Sequence, residues 1–74
     1  MFKILIIEDD KGIREGLSKL LLTSNYLPLV LDLDHISVEK IQELSPDLIL
    51  LDINLPNING RDFVREIRKC LNTP

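Results

Sequence analysis

Lys3-Ile4-Leu5-Ile6-Ile7 is a mostly apolar run without alternation, and it stops abruptly at Glu8-Asp9-Asp10. A run of that kind suits a parallel strand covered on both faces. The carboxylates after it can start a helix, and Asp10 is the natural cap. Ile13, Leu17, Leu20 and Leu21 then recur at helical spacing, with Arg14, Glu15, Ser18 and Lys19 on other faces. The spacing predicts a first helix that ends between Thr23 and Asn25 and turns those four apolar side chains inward.

Leu27 to Leu33 is the second strand candidate, and it carries Pro28. Proline cannot donate to a sheet ladder, so this strand belongs at an edge or begins near the proline. Asp34 can open a second helix with Val38, Ile41 and Leu44 facing inward, and Pro46 closes it. Leu48 to Leu51 is the third apolar run and ends, like the first, in a carboxylate, Asp52. The stretch Asn54 to Gly60 is rich in Asn, Pro and Gly and marks a loop. A third helix follows, with Phe63, Val64, Ile67 and Leu71 on its apolar side. The order β-α-β-α-β-α, with right-handed crossovers, makes an open parallel α/β sheet.

Composition narrows the classes. The chain has 74 residues, 45% of them hydrophobic, and a formal net charge of -3. That fits one small soluble domain and excludes a second. Chains this short bury only about 60% of their unfolded surface, so a core without help is marginal. Cys70 is the single cysteine. No internal disulfide can form, and a cytoplasmic setting is expected. The apolar runs are far too short to span a membrane. Phe2, Tyr26 and Phe63 are the only aromatics, so an acidic chain with so few stacking platforms is not expected to bind nucleic acid.

The two matching strand ends carry the chemistry. Neighbouring strands lie about 4.8 Å apart, so Asp9 and Asp52 can converge on one point, and Glu8 can join them. Two carboxylates about 4 Å apart repel by roughly 4 kcal/mol at an effective dielectric near 20. A bound cation, a shared proton or splaying into solvent must relieve that. A hard, all-oxygen, partly hydrated site points to Mg²⁺. In open α/β sheets, ligands sit beyond the carboxyl ends of the strands.

Two motifs resemble a known family. Lys3-Ile4-Leu5-Ile6-Ile7-Glu8-Asp9-Asp10 is similar to the opening acidic motif of response-regulator receiver domains of bacterial two-component systems. The run from Pro46 through Asp52, Pro56 and Gly60 is similar to their phosphoacceptor motif, in which Asp, three residues, Pro, three residues and Gly follow an apolar strand. The resemblance runs from residue 3 to the chain end. It implies a truncated flavodoxin-like (receiver) fold, a partial receiver domain over residues 1–74. In that fold a parallel three-stranded sheet in the order 2-1-3 carries three helices. It implies that Asp52 accepts a phosphoryl group from a sensor histidine kinase. Glu8 and Asp9 resemble the acidic pair, with Asp9 the direct Mg²⁺ ligand and Glu8 acting largely through water. Asn54 would offer its backbone carbonyl to the metal, while Pro56 and Gly60 would shape the loop.

The family also carries a Ser or Thr after a fourth strand and a Lys after a fifth, and neither has a counterpart here. Thr73 precedes the place of that fourth strand and is not the switch residue. Efficient self-phosphorylation by this segment alone is therefore not expected. DNA contact would come only through a further effector domain. The implied activity is that of a phosphorylatable binding module, not a turnover enzyme.

Two other functions compete. A phosphohydrolase with an aspartyl nucleophile wants a second Asp two residues after the first, and that position is Asn54. A structural half-fold without activity would expose Leu48 to Leu51 as an unpaired apolar edge, which predicts a homodimer or higher oligomer. The remaining features read blandly. Gly12 and Gly16 match no phosphate-loop signature and suit close helix packing or simple tolerance. Arg61, Arg65, Arg68 and Lys69 suit a solvated face near a helix C-terminus. His35 belongs at the surface and Cys70 is a half-buried thiol.

Overall fold

The computed structural model describes residues 1–31, 36–52, 60–70 and 74. Its elements are β1 (Lys3–Ile7), α1 (Lys11–Thr23), β2 (Leu27–Val30), α2 (Val38–Leu44), β3 (Leu48–Leu51) and α3 (Gly60–Cys70). All three strands are parallel in the order β2-β1-β3, so β1 is the central one. Ile4, Leu5, Ile6 and Ile7 are at most 4% exposed, which explains why that run carries no polar alternation.

Successive strand residues point to opposite faces. Leu5 and Ile7 join Ile41 of α2 and Phe63 and Ile67 of α3 in one buried cluster. Leu29, Ile49 and Leu51 pack against it. Ile4 and Ile6 therefore face the opposite layer, where α1 lies against β1 and β2. Right-handed crossovers put α1 on one face and α2 and α3 on the other.

Pro28 pairs with Ile4 in β2, the edge strand, as the missing donor requires. Leu27 N–H donates inward to Phe2 O at 2.9 Å, so the alternation turns Pro28 to the outer edge. The strand ends at Val30, with Leu31 beyond it, and the remainder of the expected span, residues 32 and 33, falls outside the described residues. Asp10 caps α1, its side chain accepting from Ile13 N–H at 3.0 Å. The helix closes with Asn25 at φ 68, Asn25 N–H donating to Leu22 O and Tyr26 N–H to Leu21 O. That is a Schellman closure with Asn in the left-handed position.

Three expectations need correction. Ile13 and Leu20 do not face inward: they are 53% and 62% exposed, and α1 has no fully buried residue. Its half-buried stripe is Arg14, Leu17, Ser18 and Leu21. Spacings of three and four allow either rotation of the helix, and packing on a narrow sheet selected the more polar one. Asp34 does not open α2, because the helix begins at Val38 with Ser37 as its cap, Ser37 Oγ accepting from Lys40 N–H at 3.2 Å. The outer edge of β3 is not wholly bare: Ile49 N–H donates to Pro74 O at 2.7 Å.

Phe63 and Ile67 are buried and Val64 half-buried, as expected, while Arg61, Arg65, Arg68 and Lys69 lie on the exposed face. A Cβ on Gly16 would meet nothing within 4 Å, so that glycine serves no close packing. Asn54, Pro56, His35, Leu71 and Thr73 fall outside the described residues, as does the side chain of Cys70.

Ile41 is fully buried and is the one buried side chain of α2. Ile41→Ala should lower stability by about 2–5 kcal/mol, much of what a domain this small has. Urea unfolding followed by circular dichroism measures it; a loss under 1 kcal/mol, on the order of an exposed-site change, would contradict this account of the core.

Candidate functional site

The acidic mouth is built by strand pairing before any side chain takes part. β1 and β3 pair in parallel from Ile4↔Leu48 to Ile7↔Leu51. At the lower end, Asp47 N–H donates to Lys3 O at 2.8 Å and Lys3 N–H donates to Asp47 Oδ2 at 2.7 Å. Lys3 Nζ also reaches Leu44 O at 3.1 Å. At the upper end, Asp52 N–H donates to Ile7 O at 3.0 Å. The residue that follows β3 is thus level with the two acids that follow β1.

Carboxylate oxygens of Glu8, Asp9 and Asp52 lie within 4.8 Å of one another. Glu8 and Asp52 are half-buried and Asp9 is exposed. Glu8 Oε1 accepts from Asp10 N–H at 3.1 Å, and Arg14 Nη1 donates to Glu8 O at 3.2 Å. Sequence reasoning placed Glu8, Asp9 and Asp52 together, and the structure brings them together. Asn54 lies outside the described residues. Arg14 was read only as an outer-face residue, since nothing in its spacing announces that its guanidinium turns back to a strand-end carbonyl.

The surroundings of Glu8 act on its carboxyl in both directions. The strongest influence on its carboxyl, the Asp10 N–H bond, favours the charged form. Loss of hydration, hydrogen bonding with Asp9 and the repulsion and hydrogen bonding of Asp52 outweigh it, and the net pKa is raised. The donor set fits a hard divalent cation: three carboxylates, all oxygen, open to solvent on the Asp9 side. Such an ion would be held by Asp9 and Asp52, with Glu8 beside them.

The sign of the linkage follows. A carboxyl whose pKa is raised on folding destabilises the folded chain as pH rises from the ordinary Glu range through the raised value. In the absence of divalent cations, Glu8→Gln should therefore raise the urea midpoint at pH 7, and the gain should vanish below the ordinary Glu range. A midpoint lowered at pH 7 would contradict the charge balance described.

Comparison with known proteins places this arrangement. The profile described as "Response regulator receiver domain" matches residues 4–74. The transcriptional regulatory protein YdfI of Bacillus subtilis is 32% identical over 76 residues, covering 100% of this chain and 36% of that protein. The response regulator ArlR of Staphylococcus saprophyticus is 39% identical, covering 100% of this chain and 34% of that protein. The chain thus spans about a third of the length of these relatives. Among solved structures, the N-terminal domain of the nisin resistance regulator NsrR superposes with a TM-score of 0.84 at 35% identity, covering 100% of this chain and 62% of that one. The structure of histidine kinase ThkA in complex with response regulator TrrA contains a match with a TM-score of 0.77 at 29% identity, covering 99% of this chain and 64% of that one. Neighbours of this kind share the three parallel strands and three helices seen here. With the family profile covering nearly every residue and the acidic mouth formed where the two motifs meet, the chain belongs to the response regulator receiver domain family.

Proposed function

We propose that this chain accepts a phosphoryl group on Asp52 from the phosphohistidine of a sensor histidine kinase, with Mg²⁺ at Glu8, Asp9 and Asp52. One observation carries the reading: the three carboxylates converge within 4.8 Å beyond the C-terminal ends of two paired strands. The solved kinase–regulator complex among the relatives supports the choice of donor.

In the reaction, an Asp52 carboxylate oxygen attacks the phosphorus, the P–N bond to imidazole breaks, and an acyl phosphate forms while the imidazole nitrogen leaves with the electron pair. A divalent cation supplies charge neutralisation to the incoming phosphoryl oxygens and the carboxylates. The chain's own contribution is positioning. The Asp52 N–H bond to Ile7 O holds the nucleophile at the sheet edge, and Asp9 and Glu8 present their charge to the same point. The product is a modified signalling module, not a turned-over substrate, and the cytoplasm is its proposed setting.

In a protein where this segment is continued by the family's fourth and fifth strands, Asp52→Asn should abolish labelling from phosphorylated kinase or acetyl phosphate, and chelation of Mg²⁺ should reduce labelling of the unsubstituted protein to background, while the 74-residue chain alone should label less efficiently. Equal labelling of Asp52→Asn and wild type would refute the assignment.

Self-association of this 74-residue chain is part of the same proposal. Leu20 and Leu22 of α1 are 62% and 57% exposed. Leu50, level with Ile6 on the α1 side of the sheet, is 36% exposed. Apolar surface left open in this way favours a second copy. Sedimentation at micromolar concentration should give a dimer or larger, shifted toward monomer by Leu20→Lys. A folded monomer throughout would rule this out.

A further inference from the structure

Arg14 reaches back from the first turn of α1 to the last residues of the β1 arm. Its Nη1 donates to Glu8 O at 3.2 Å in a partly buried position. Glu8 O lies just past the end of β1, whose last ladder acceptor, Ile7 O, is taken by Asp52 N–H. A carbonyl beyond the ladder and partly shielded from water needs a donor from elsewhere. The turn from β1 to α1 is closed by four bonds: Asp10 N–H to Glu8 Oε1, Ile13 N–H to Asp10 Oδ1, Arg14 N–H to Asp10 O, and Arg14 Nη1 to Glu8 O. Among the described residues, only the last ties the backbone of the acidic pair itself to the body of the helix.

The charge of Arg14 is not spent on the carboxylates. Among the described residues it forms no ion pair, and its neighbour Glu15 lies 4.0 Å from Lys11. A guanidinium bonded to a carboxylate of the mouth would compete with a cation. Bonded to the main chain, the guanidinium forms no such ion pair.

We propose that Arg14 is a positioning residue for the cation site: by holding the Glu8 carbonyl it fixes the backbone from which Glu8 and Asp9 project, and so preorganises the pair opposite Asp52. The inference rests on the Mg²⁺ reading of that mouth given above. It separates cleanly from a purely electrostatic role, because the two have opposite signs. A nearby positive charge repels Mg²⁺, so removing it would tighten binding; removing a positioning contact weakens binding.

The test is calorimetric titration of the full chain with Mg²⁺ at fixed ionic strength, with urea midpoints recorded alongside. Arg14→Met keeps the aliphatic stem and loses both charge and donor. It should bind Mg²⁺ roughly 10-fold more weakly, the lower end of what loss of an outer supporting contact costs a metal site. Arg14→Lys keeps the charge and one donor but not the planar fork, and should fall between Arg14→Met and wild type. Unchanged or tighter binding by Arg14→Met overturns the proposal. Should Arg14→Met fail to fold, Arg14→Lys decides: affinity equal to wild type overturns it, because the guanidinium fork would then contribute nothing to the site. Asp52→Asn separates the two levels. If Asp52→Asn loses Mg²⁺ binding and Arg14→Met does not, the Arg14 inference alone fails. If wild type and Asp52→Asn both bind no Mg²⁺, the cation reading fails and takes this one with it.

Discussion

The hydrogen bond from Asp52 N–H to Ile7 O is the contact on which the site depends. It is the last bond of a pairing secured at the other end by Asp47 and Lys3, so the β1–β3 register is held from both sides. A strand slipped by one residue turns every side chain to the opposite face. Slippage here would bury Leu50 in place of Leu51 and swing Asp52 away from Glu8 and Asp9. The apolar requirement of the core and the geometric requirement of the site are therefore one constraint. Ile49 and Leu51 pack against the cluster that holds Leu5, Ile7 and Ile41, and that packing keeps Asp52 level with the acidic pair.

Local order around the mouth has a cost that the rest of the domain offsets. Three carboxylates lie within 4.8 Å of one another, and lost hydration together with the neighbouring Asp9 and Asp52 raises the pKa of Glu8 despite the Asp10 N–H bond. Sites of this kind commonly give up stability for function. The offset comes from the α2–α3 layer, where Ile41, Phe63 and Ile67 close over one face of β1. The α1 layer contributes less, since none of its side chains is fully buried. What α1 offers instead is chemistry at its start, through the Asp10 cap and the Arg14 guanidinium on Glu8 O.

Much of this was legible in the residues. The unbroken apolar run of β1 and its stop at three acids announced a central parallel strand and a helix start, and Pro28 announced an edge. Periodicity correctly put Val38, Ile41 and Leu44 of α2 and Phe63, Val64 and Ile67 of α3 toward the core. It failed for α1, because Ile13 and Leu20 share the helical spacing of a core face without having a sheet broad enough to cover them. It failed again at Asp34, because Ser37 is an equally good capping residue closer to the helix.

By itself the sequence determined the alternation of strands and helices, and the presence of a carboxylate at the end of each of two apolar strands. Those are local matters of side-chain type and order. The resemblance to a known family implied the strand order that the structure shows, but periodicity did not, and only the tertiary structure decided how α1 is rotated and where the Arg14 side chain goes. Each of these depends on contacts between residues distant along the chain or on different elements, and periodicity within one segment carries no information about them.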